Sequence, residues 1–333
     1  LFLQVFLTAQ AEDRLPMGVA FGGLALLSWV LYGIYRAAQR SAYELESLVF
    51  LLISIGAAVT AAYDPASLYK LLITVVMGMV LFLAMSGVLR DLHLSIRARW
   101  PVAIAAGALL AFNVVLGERI FGAKNWISIG PLSFQPSELV KIAFILAGAA
   151  TLDRLFAKRN LVFTILFSAY CVGCLALMSD FGTALIFFVA FLCIAFLRTG
   201  DLPSIAMMVA AAAFGCGIIL RFKPYIADRF AAWRHAWDYA QDIGYQQTRT
   251  MSAMASGGLF GVGPKDGWLK YVGAANTDLV FGVVGEEFGF LLALCCVAAL
   301  VIPIVFTLRC AAAARSSFYT ILSCATAAML VCQ

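Results

Sequence analysis

Ten long runs of apolar residues restrict what this chain can fold into. A hydrocarbon core of about 30 Å needs roughly 20 apolar residues in a helix. The runs lie at 17–35, 45–63, 67–89, 101–117, 137–152, 161–178, 181–199, 203–221, 278–308 and 317–333. Because they are longer than the alternating strands of about ten residues that build membrane barrels, we predict an all-α, polytopic membrane protein with about ten transmembrane helices.

Composition excludes several other classes of protein. Hydrophobic residues make up 63% of the chain and charged residues 12%, against roughly 45–50% and about 25% in soluble domains. The net charge of +5 is too small to indicate nucleic acid binding. The nine cysteines, including the C-x-x-C pair Cys171 and Cys174, lie almost entirely in apolar runs. This placement favours small packed side chains over a redox or zinc site.

The basic residues of the loops predict the orientation. Eleven Lys and Arg residues lie in one set of loops, at 36–44, 90–100, 153–160, 198–202 and 309–316. The alternate short loops, at 64–66, 118–136 and 179–180, hold only Arg119 and Lys124. The positive-inside rule places the first set in the cytoplasm.

The same alternation places the longest connection, 222–277, outside the cell or in the periplasm. Its residues Phe230, Trp233 and Trp237 are spaced as i, i+3 and i+7. This spacing predicts one amphipathic helix lying in the outer membrane interface.

Ionisable residues inside the runs are costly, about 2.5–3.5 kcal/mol each on insertion scales. Glu138 and Lys141 share one helix face, so they either form a structural ion pair or line a polar cavity. Glu286 and Glu287 are adjacent carboxylates in the run 278–308. We expect at least one of these two to face a wet cavity or a basic partner.

Asp180 and Asp278 each stand where an apolar run begins on the outer side. Either carboxylate could cap a helix N-terminus or take part in chemistry. The glycine-rich stretch 256–263 precedes Asp278. It is either a flexible turn or a loop whose free backbone amides hold a diphosphate.

Three stretches resemble the SEDS family (shape, elongation, division and sporulation), the FtsW/RodA group. The first runs from Gly122 through Trp126 to Phe134-Gln135-Pro136-Ser137-Glu138 and Lys141; the second is Asp180-Phe181-Gly182-Thr183-Ala184; the third joins Gly244-Tyr245-Gln246, Ser256-Gly257-Gly258, Thr277-Asp278 and Gly285-Glu286-Glu287. The resemblance covers roughly 45–333, with 1–44 as an additional N-terminal hydrophobic segment and 222–277 as the large loop. The chain departs from the family at Asn125, where the family has Arg, and at Ser179, Arg249, Gly273 and Asn276. Because it starts and stops inside apolar runs, we expect a fragment, truncated at the C-terminus.

The resemblance implies a peptidoglycan glycosyltransferase that polymerises a lipid-linked disaccharide-pentapeptide, lipid II, at the outer face of the bacterial cytoplasmic membrane. It implies Asp278 as the catalytic base. Expected substrate-binding residues are Lys124, Trp126, Gln135, Glu138, Lys141, Asp180, Gln246, Ser256, Gly257, Gly258, Thr277, Glu286 and Glu287. Lys124, Arg249, Lys265 and Lys270 are the candidate cations for the diphosphate leaving group. A divalent cation, Mg or Mn, could bridge that diphosphate, although no ligand cluster demands it.

The expected partners are lipid II, the polyprenyl diphosphate-linked glycan strand, membrane lipids and a class B penicillin-binding transpeptidase. Two other functions stay open. A lipid II flippase or exporter would use Glu138, Lys141, Glu286 and Glu287 as a polar path. A scaffold for the transpeptidase would need neither these charges nor Asp278. The sequence leaves a role in division or elongation open.

Overall fold

A computed structural model describes residues 1–40, 42–120, 123–130, 132–152, 158–222, 232–314 and 316–333. The helices are α1 Phe2–Leu7, α2 Arg14–Ala37, α3 Glu44–Tyr63, α4 Leu68–Arg90, α5 Leu92–Leu116, α6 Pro136–Leu152, α7 Lys158–Leu177, α8 Phe181–Thr199, α9 Leu202–Phe222, α10 Tyr245–Gly257, α11 Val280–Val283, α12 Phe290–Ala313 and α13 Ser317–Cys332. Short 3-10 turns cover Pro65–Ser67 and Leu269–Tyr271, and a π-helical turn covers Val284–Phe288.

The prediction of an all-α polytopic protein is confirmed. Ten helices in the described residues have sixteen or more residues, and each corresponds to one predicted run. Six of the described helices are long and apolar enough to cross a membrane, with three shorter apolar helices beside them. These helices form because a backbone in lipid must satisfy its hydrogen bonds within its own segment.

The ninth predicted run has different bounds in the structure. The sequence placed a span at 278–308, but the apolar helix α12 runs from Phe290 to Ala313. Residues 278–289 precede it as α11 and the π-helical turn, and Gly289, with φ +89°, separates the two segments. Glu286 and Glu287 therefore lie outside the candidate membrane span.

The loop 118–136 holds a small sheet that the apolar pattern did not predict. Strands β1 Glu118–Ile120, β2 Ala123–Ile129 and β3 Leu132–Phe134 pair antiparallel in the order β1-β2-β3. Glu118 faces Trp126, and Ser128 faces Ser133. Pro136 then opens α6, where its missing N–H would have no helical partner anyway.

The predicted aromatic helix over 230–237 is wrong in its described part. Phe230 lies outside the described residues. From Trp233 to Gly244 the chain runs in turns rather than as a helix, and Arg234 has a φ of +67°. The side chains of Trp233 and Trp237 are nevertheless exposed.

The chain divides into two compact units, each with its own hydrophobic core. Unit 1 comprises Leu1–Val80 and Ala213–Pro303, and unit 2 comprises Leu81–Ala212 and Ile304–Gln333. In unit 1, residues of α1, α2 and α3 share one core with Leu269, Val284 and Phe288. In unit 2 the core joins α5, α6, α7, α8 and α13. All nine cysteines are free thiols, of which Cys171, Cys174 and Cys296 are buried.

Candidate active site

In unit 1, Asp278 lies near the end of residues 265–279, the Asp278 loop, whose last three backbone amides are held by one carbonyl. The carbonyl oxygen of Ala274 accepts the amides of Thr277, Asp278 and Leu279 at 3.0–3.2 Å. Ala274 has a φ of +64°, which turns this oxygen toward the residues that follow. The Asp278 side chain is exposed and has no hydrogen-bond partner among the described residues. A carboxylate on a fixed backbone is thus open to an incoming group.

The helix-cap interpretation of Asp278 is not what the structure shows. Helix α11 begins at Val280, its N-cap is Leu279, and no side chain caps it. Two other predicted ligands contact the same loop. The hydroxyl of Thr277 donates to the carbonyl of Ala274 at 3.2 Å, and Nε2 of Gln246 donates to the carbonyl of Gly273 at 3.1 Å.

The adjacent carboxylates Glu286 and Glu287 have different surroundings. Glu286 is fully buried. Its Oε1 accepts the amide of Trp268 at 2.8 Å, and its Oε2 accepts the amide of Leu269 at 3.0 Å. The sequence predicted a wet cavity or a basic partner for at least one of these two carboxylates. For Glu286 the structure shows instead two backbone amides that donate to its oxygens.

Glu287 is 1% exposed, and neither of its oxygens has a hydrogen-bond partner in the described part of the chain. The hydroxyl of Tyr63 is also buried there without a partner. Burial raises the pKa of Glu287 to about 7, while the nearby amide of Lys265 and the ammonium of Lys270 oppose that rise only in part. Glu287 is thus a carboxyl group that can hold a proton near neutral pH.

Three amides of the glycine-rich stretch donate to carbonyls of the protein. The amide of Gly261 donates to the Gly257 carbonyl, that of Val262 to Glu286, and that of Gly263 to Glu287, at 2.8–3.1 Å. A Cβ on Gly257 or Gly261 would meet the backbone of 285–288. Gly257 and Gly261 therefore serve close backbone packing, while the diphosphate-loop alternative stays a prediction.

The remaining residues of this stretch have local contacts. The hydroxyl of Ser256 donates to the Ala253 carbonyl at 2.7 Å. Gly257 is buried, whereas Gly258 is exposed with a φ of +58°. Their assignment as substrate ligands stays a prediction.

Three candidate cations of unit 1, Lys265, Lys270 and Arg249, have partners within this unit. Nζ of Lys265 lies 3.4 Å from Oδ2 of Asp13, and Lys270 donates to the carbonyl of Lys265. The guanidinium of Arg249 lies over the ring of Tyr245, 5.2 Å from its centre. These groups are partly exposed and can meet an anion.

In unit 2, Asp180 joins three segments. Its Oδ1 accepts the amide of Thr183 at 3.1 Å, which confirms the helix-cap interpretation for α8. Its Oδ2 accepts Nδ2 of Asn125 at 2.9 Å and Nε2 of Gln135 at 3.1 Å. The carboxylate therefore fixes β2 and the start of α6 against the N-terminus of α8.

Lys124 is held by the end of α5. Its Nζ donates to the carbonyls of Val114 and Val115 at 2.9 and 2.8 Å, and its own amide donates to the Met178 carbonyl at 2.9 Å. The next residue but one, Trp126, pairs with Glu118 across β1 and β2 and is half-buried.

Glu138 and Lys141 form the expected ion pair, with Nζ and Oε1 2.8 Å apart. The Lys141 side chain is 8% exposed and that of Glu138 47%. Both border a cavity of about 420 Å³ whose other walls include Met85, Leu322 and Met329. The ion-pair interpretation is thus confirmed, whereas the adjoining cavity is walled mostly by apolar side chains and is not the expected polar cavity.

The possible metal ligands of the described residues are dispersed. Among the described residues, no three His, Cys, Asp or Glu side chains are grouped so as to hold a metal ion. These described side chains therefore do not fit a preformed divalent site.

Three residues of these sites were missed or given no role by the sequence interpretation. Asn125 was noted as a departure but not as a partner of Asp180, Asp13 lies in the segment set apart as additional, and Gly267 was not singled out. A Cβ on Gly267 would lie 2.7 Å from Oε2 of Glu286. The position of Gly267 between two large polar or aromatic residues, Asp266 and Trp268, could have indicated such close packing from the sequence.

Comparison with known proteins places these residues in context. A family model described as "Cell cycle protein", for FtsW, RodA and SpoVE, matches residues 24–333. The probable peptidoglycan glycosyltransferase FtsW of Halorhodospira halophila is 30% identical over 289 residues, which are 83% of this chain and 72% of the relative. That of Saccharophagus degradans is 28% identical over 284 residues, 78% and 72% of the two chains.

Solved structures show the same fold. A chain from a peptidoglycan synthase complex that coordinates polymerization and crosslinking has a TM-score of 0.68 and 25% identity, covering 86% of this chain and 83% of its own. The rod shape determining protein RodA of Thermus thermophilus has a TM-score of 0.59 and 23% identity, covering 86% and 81%. The RodA likeness carries the fold alone.

Proposed function

The chain belongs to the FtsW/RodA/SpoVE family, as three stretches of its sequence predicted, and from this premise we propose that it polymerises lipid II into glycan strands. The protein is a multi-pass membrane protein. We place it in the bacterial cytoplasmic membrane with the Asp278 loop on the outer face. The division of the chain at residue 44 into an additional N-terminal segment and a family domain remains a proposal.

One observation carries the catalytic assignment. Asp278 is an exposed carboxylate with no partner in the described residues, on a loop whose backbone is held at Ala274. A sugar 4-hydroxyl is a poor nucleophile until its proton is removed, and a carboxylate within hydrogen-bond reach can take that proton. The oxygen then attacks the anomeric carbon of the donor sugar, and the bond to the polyprenyl diphosphate breaks with inversion.

The leaving diphosphate gains negative charge as the bond breaks and needs cations near it. Lys265 and Lys270 lie on the same loop as Asp278, and Arg249 lies on α10 of the same unit. We assign the diphosphate to this group. Lys124 already donates to two carbonyls of α5, so it is a weaker candidate for binding the diphosphate.

The other proposed substrate contacts divide between the units. Gln246 and Thr277 lie on or against the Asp278 loop. Trp126, Gln135, Asp180, Glu138 and Lys141 lie in unit 2. Asp180 and Gln135 bond each other within unit 2, so each also holds the other's side chain in place.

The catalytic assignment is tested with purified protein, labelled lipid II and a gel that resolves glycan chain lengths. We expect Asp278→Asn to abolish polymerisation while binding of lipid II persists. Asp242→Asn is the matched control, because Asp242 is also exposed in the connection 222–277. Normal polymerisation by the Asp278→Asn protein would show that Asp278 is not the base.

A flippase or exporter is the second candidate function, and the cavity beside Glu138 and Lys141 favours it. That cavity is walled largely by apolar side chains and carries one ion pair. Transport of labelled lipid II across vesicles tests this function. It requires that Glu138→Gln and Lys141→Met abolish transport, while Asp278→Asn leaves it intact.

A transpeptidase partner follows from the same family premise. The related chain of known structure belongs to a complex that coordinates polymerization with crosslinking. We propose a class B penicillin-binding transpeptidase as partner here. Co-purification with the transpeptidase of the same cell tests it. Glycan synthesis that survives both Asp278→Asn and Glu138→Gln while the partner still binds would indicate the scaffold function instead.

The outer-face assignment has its own test. Tyr271 is 81% exposed and lies seven positions before Asp278. We expect Tyr271→Cys to react with a membrane-impermeant thiol reagent on intact cells whose outer barrier is permeable. Reaction only after lysis would place the loop in the cytoplasm and overturn the proposed chemistry.

A further inference from the structure

The buried carboxylate of Glu286 closes the segment of chain that carries Asp278. Its two oxygens accept the amides of Trp268 and Leu269, which lie 18 and 17 positions earlier in the chain. Asp278 is inside that interval. The segment is therefore tied at its start by a side chain that projects from its end.

A continuous series of hydrogen-bonded turns leads from this tie to Asp278. The amide of Tyr271 donates to the Trp268 carbonyl at 3.1 Å, and that of Val272 to Leu269 at 2.9 Å. The amide of Ala275 donates to Val272 at 3.3 Å, and Ala274 then holds the amide of Asp278 at 3.0 Å. Each turn takes its position from the one before it.

Buried apolar side chains also hold these turns in place. Leu269 is fully buried, and Val272 and Ala275 are nearly so. A Cβ on Gly282 would lie 2.9 Å from Cδ2 of Leu269, so Leu269 packs directly on the backbone of α11. The tie at Glu286 and this packing together restrict where the loop can lie.

We infer that Glu286 is a positioning residue that holds the Asp278 loop in its reactive geometry through these two amides. The inference rests on the proposed function of Asp278 and assigns Glu286 no contact with substrate. A carboxylate is suited to the task because it accepts two N–H groups, one on each oxygen. A glutamine would accept only one and would turn its own N–H₂ toward the other amide.

Gly267 provides a way to disturb this tie without removing its charge. Its Cβ would lie 2.7 Å from Oε2 of Glu286 and 2.9 Å from Cγ of Glu287. Gly267→Ala therefore displaces the Glu286 carboxylate from the amides it binds. Gly273→Ala is the matched control in the same loop, because its Cβ would meet nothing within 4 Å.

The experiment combines hydrogen exchange of the 268–279 peptide with steady-state polymerisation of lipid II by the full chain. We expect Glu286→Gln and Gly267→Ala to speed exchange at Trp268 and Leu269. Since small displacements of a reacting group can cost on the order of 100-fold in rate, kcat should fall by about 10- to 100-fold. KM for lipid II should stay within about threefold, because binding contacts are retained.

The pH dependence of kcat distinguishes a variant in which Asp278 is displaced from one in which another group acts as the base. The acid limb of the kcat–pH profile should keep its midpoint in Gly267→Ala, because Asp278 still acts as the base. Gly273→Ala should match the wild type in exchange and in kcat. If Glu286→Gln fails to fold, the hydrogen exchange and kcat of Gly267→Ala are sufficient to test the inference.

Two results would overturn the inference. One is wild-type exchange at Trp268 and Leu269 in the folded variants, and the other is faster exchange with an unchanged kcat. Failure of the proposed function has a different signature. In that case Asp278→Asn remains active, whatever the exchange at Trp268 and Leu269 shows.

Discussion

Nε2 of Gln135 donates a hydrogen bond of 3.1 Å to the carboxylate of Asp180, which lies 45 positions later in the chain. Asn125 donates to the same oxygen at 2.9 Å. The sequence had suggested a ligand and a helix cap for Asp180. The structure shows one carboxylate that both caps α8 and holds two distant amide side chains.

Asp180→Asn should therefore destabilise the protein. An asparagine can still cap α8 through its oxygen, but its N–H₂ would face the N–H₂ groups of Asn125 and Gln135. Since bonds to a charged group contribute about 1.5–3 kcal/mol each, we expect a loss of about 2 kcal/mol or more. Thermal unfolding in detergent measures it, with Asp242→Asn as the control. A melting temperature equal to that of the control would contradict the proposed role.

Glu287→Gln should remove a pH dependence of stability. The carboxyl has a pKa of about 7 when folded and near 4.5 as a free side chain. Between these values the folded state binds more protons, so the free energy of unfolding decreases as the pH rises from 4.5 to 7, by about 3 kcal/mol. Unfolding at several pH values should show this decrease in the wild type and in Glu12→Gln, an exposed control. The idea fails if Glu287→Gln retains the full decrease.

Removing one partner of the ion pair in α6 should lower the stability of the protein by an amount that depends on which partner is removed. Lys141 is 8% exposed and Glu138 47%. Removing Glu138 leaves a buried ammonium unpaired, which can cost up to about 3–5 kcal/mol, and the half-exposed partner reduces this to about 2 kcal/mol. Removing Lys141 leaves a carboxylate that water can reach. Glu138→Gln should thus destabilise more than Lys141→Met, and the double variant should recover most of the loss. Equal effects of the two single changes would exclude this explanation.

Gly261→Ala should be strongly destabilising. Gly261 has a φ of +86°, and its Cβ would meet the carbonyl of Glu287 and the backbone of Phe288. A strained backbone costs on the order of 1–3 kcal/mol, and the clash adds to it. We expect a loss of at least about 2 kcal/mol in detergent unfolding, against little change for Gly273→Ala. Similar stability of the two alanine variants would show that the close packing at Gly261 is not required.

Features that depend on neighbours along the chain were largely predictable. The ten long helices followed from apolar length, because lipid forces each segment to bond its own backbone. The pair Glu138 and Lys141 followed from helix spacing, and the cap by Asp180 from its place before a run. The bounds of 278–308 were wrong because Gly289 separates two segments that hydropathy alone joins.

Contacts between distant segments were not predictable in the same way. In the glycine-rich stretch, the amides of Val262 and Gly263 bond the backbone of Glu286 and Glu287, a pairing that the glycine spacing did not predict. From the sequence, Glu286 was expected to be a charge within a membrane span that faces a cavity. In the structure its carboxylate accepts two backbone amides. The strands of 118–134 gave no apolar alternation long enough to predict them.

The sequence alone determined that this protein is a bundle of membrane helices of the FtsW/RodA kind, and where its acidic residues stand along the chain. Only the tertiary structure decided that Asp278 is exposed while Glu286 and Glu287 are buried. Hydropathy and spacing act over one or two helical turns. The environment of a carboxylate depends on which amides, cations and apolar groups the folded chain brings to it from far away.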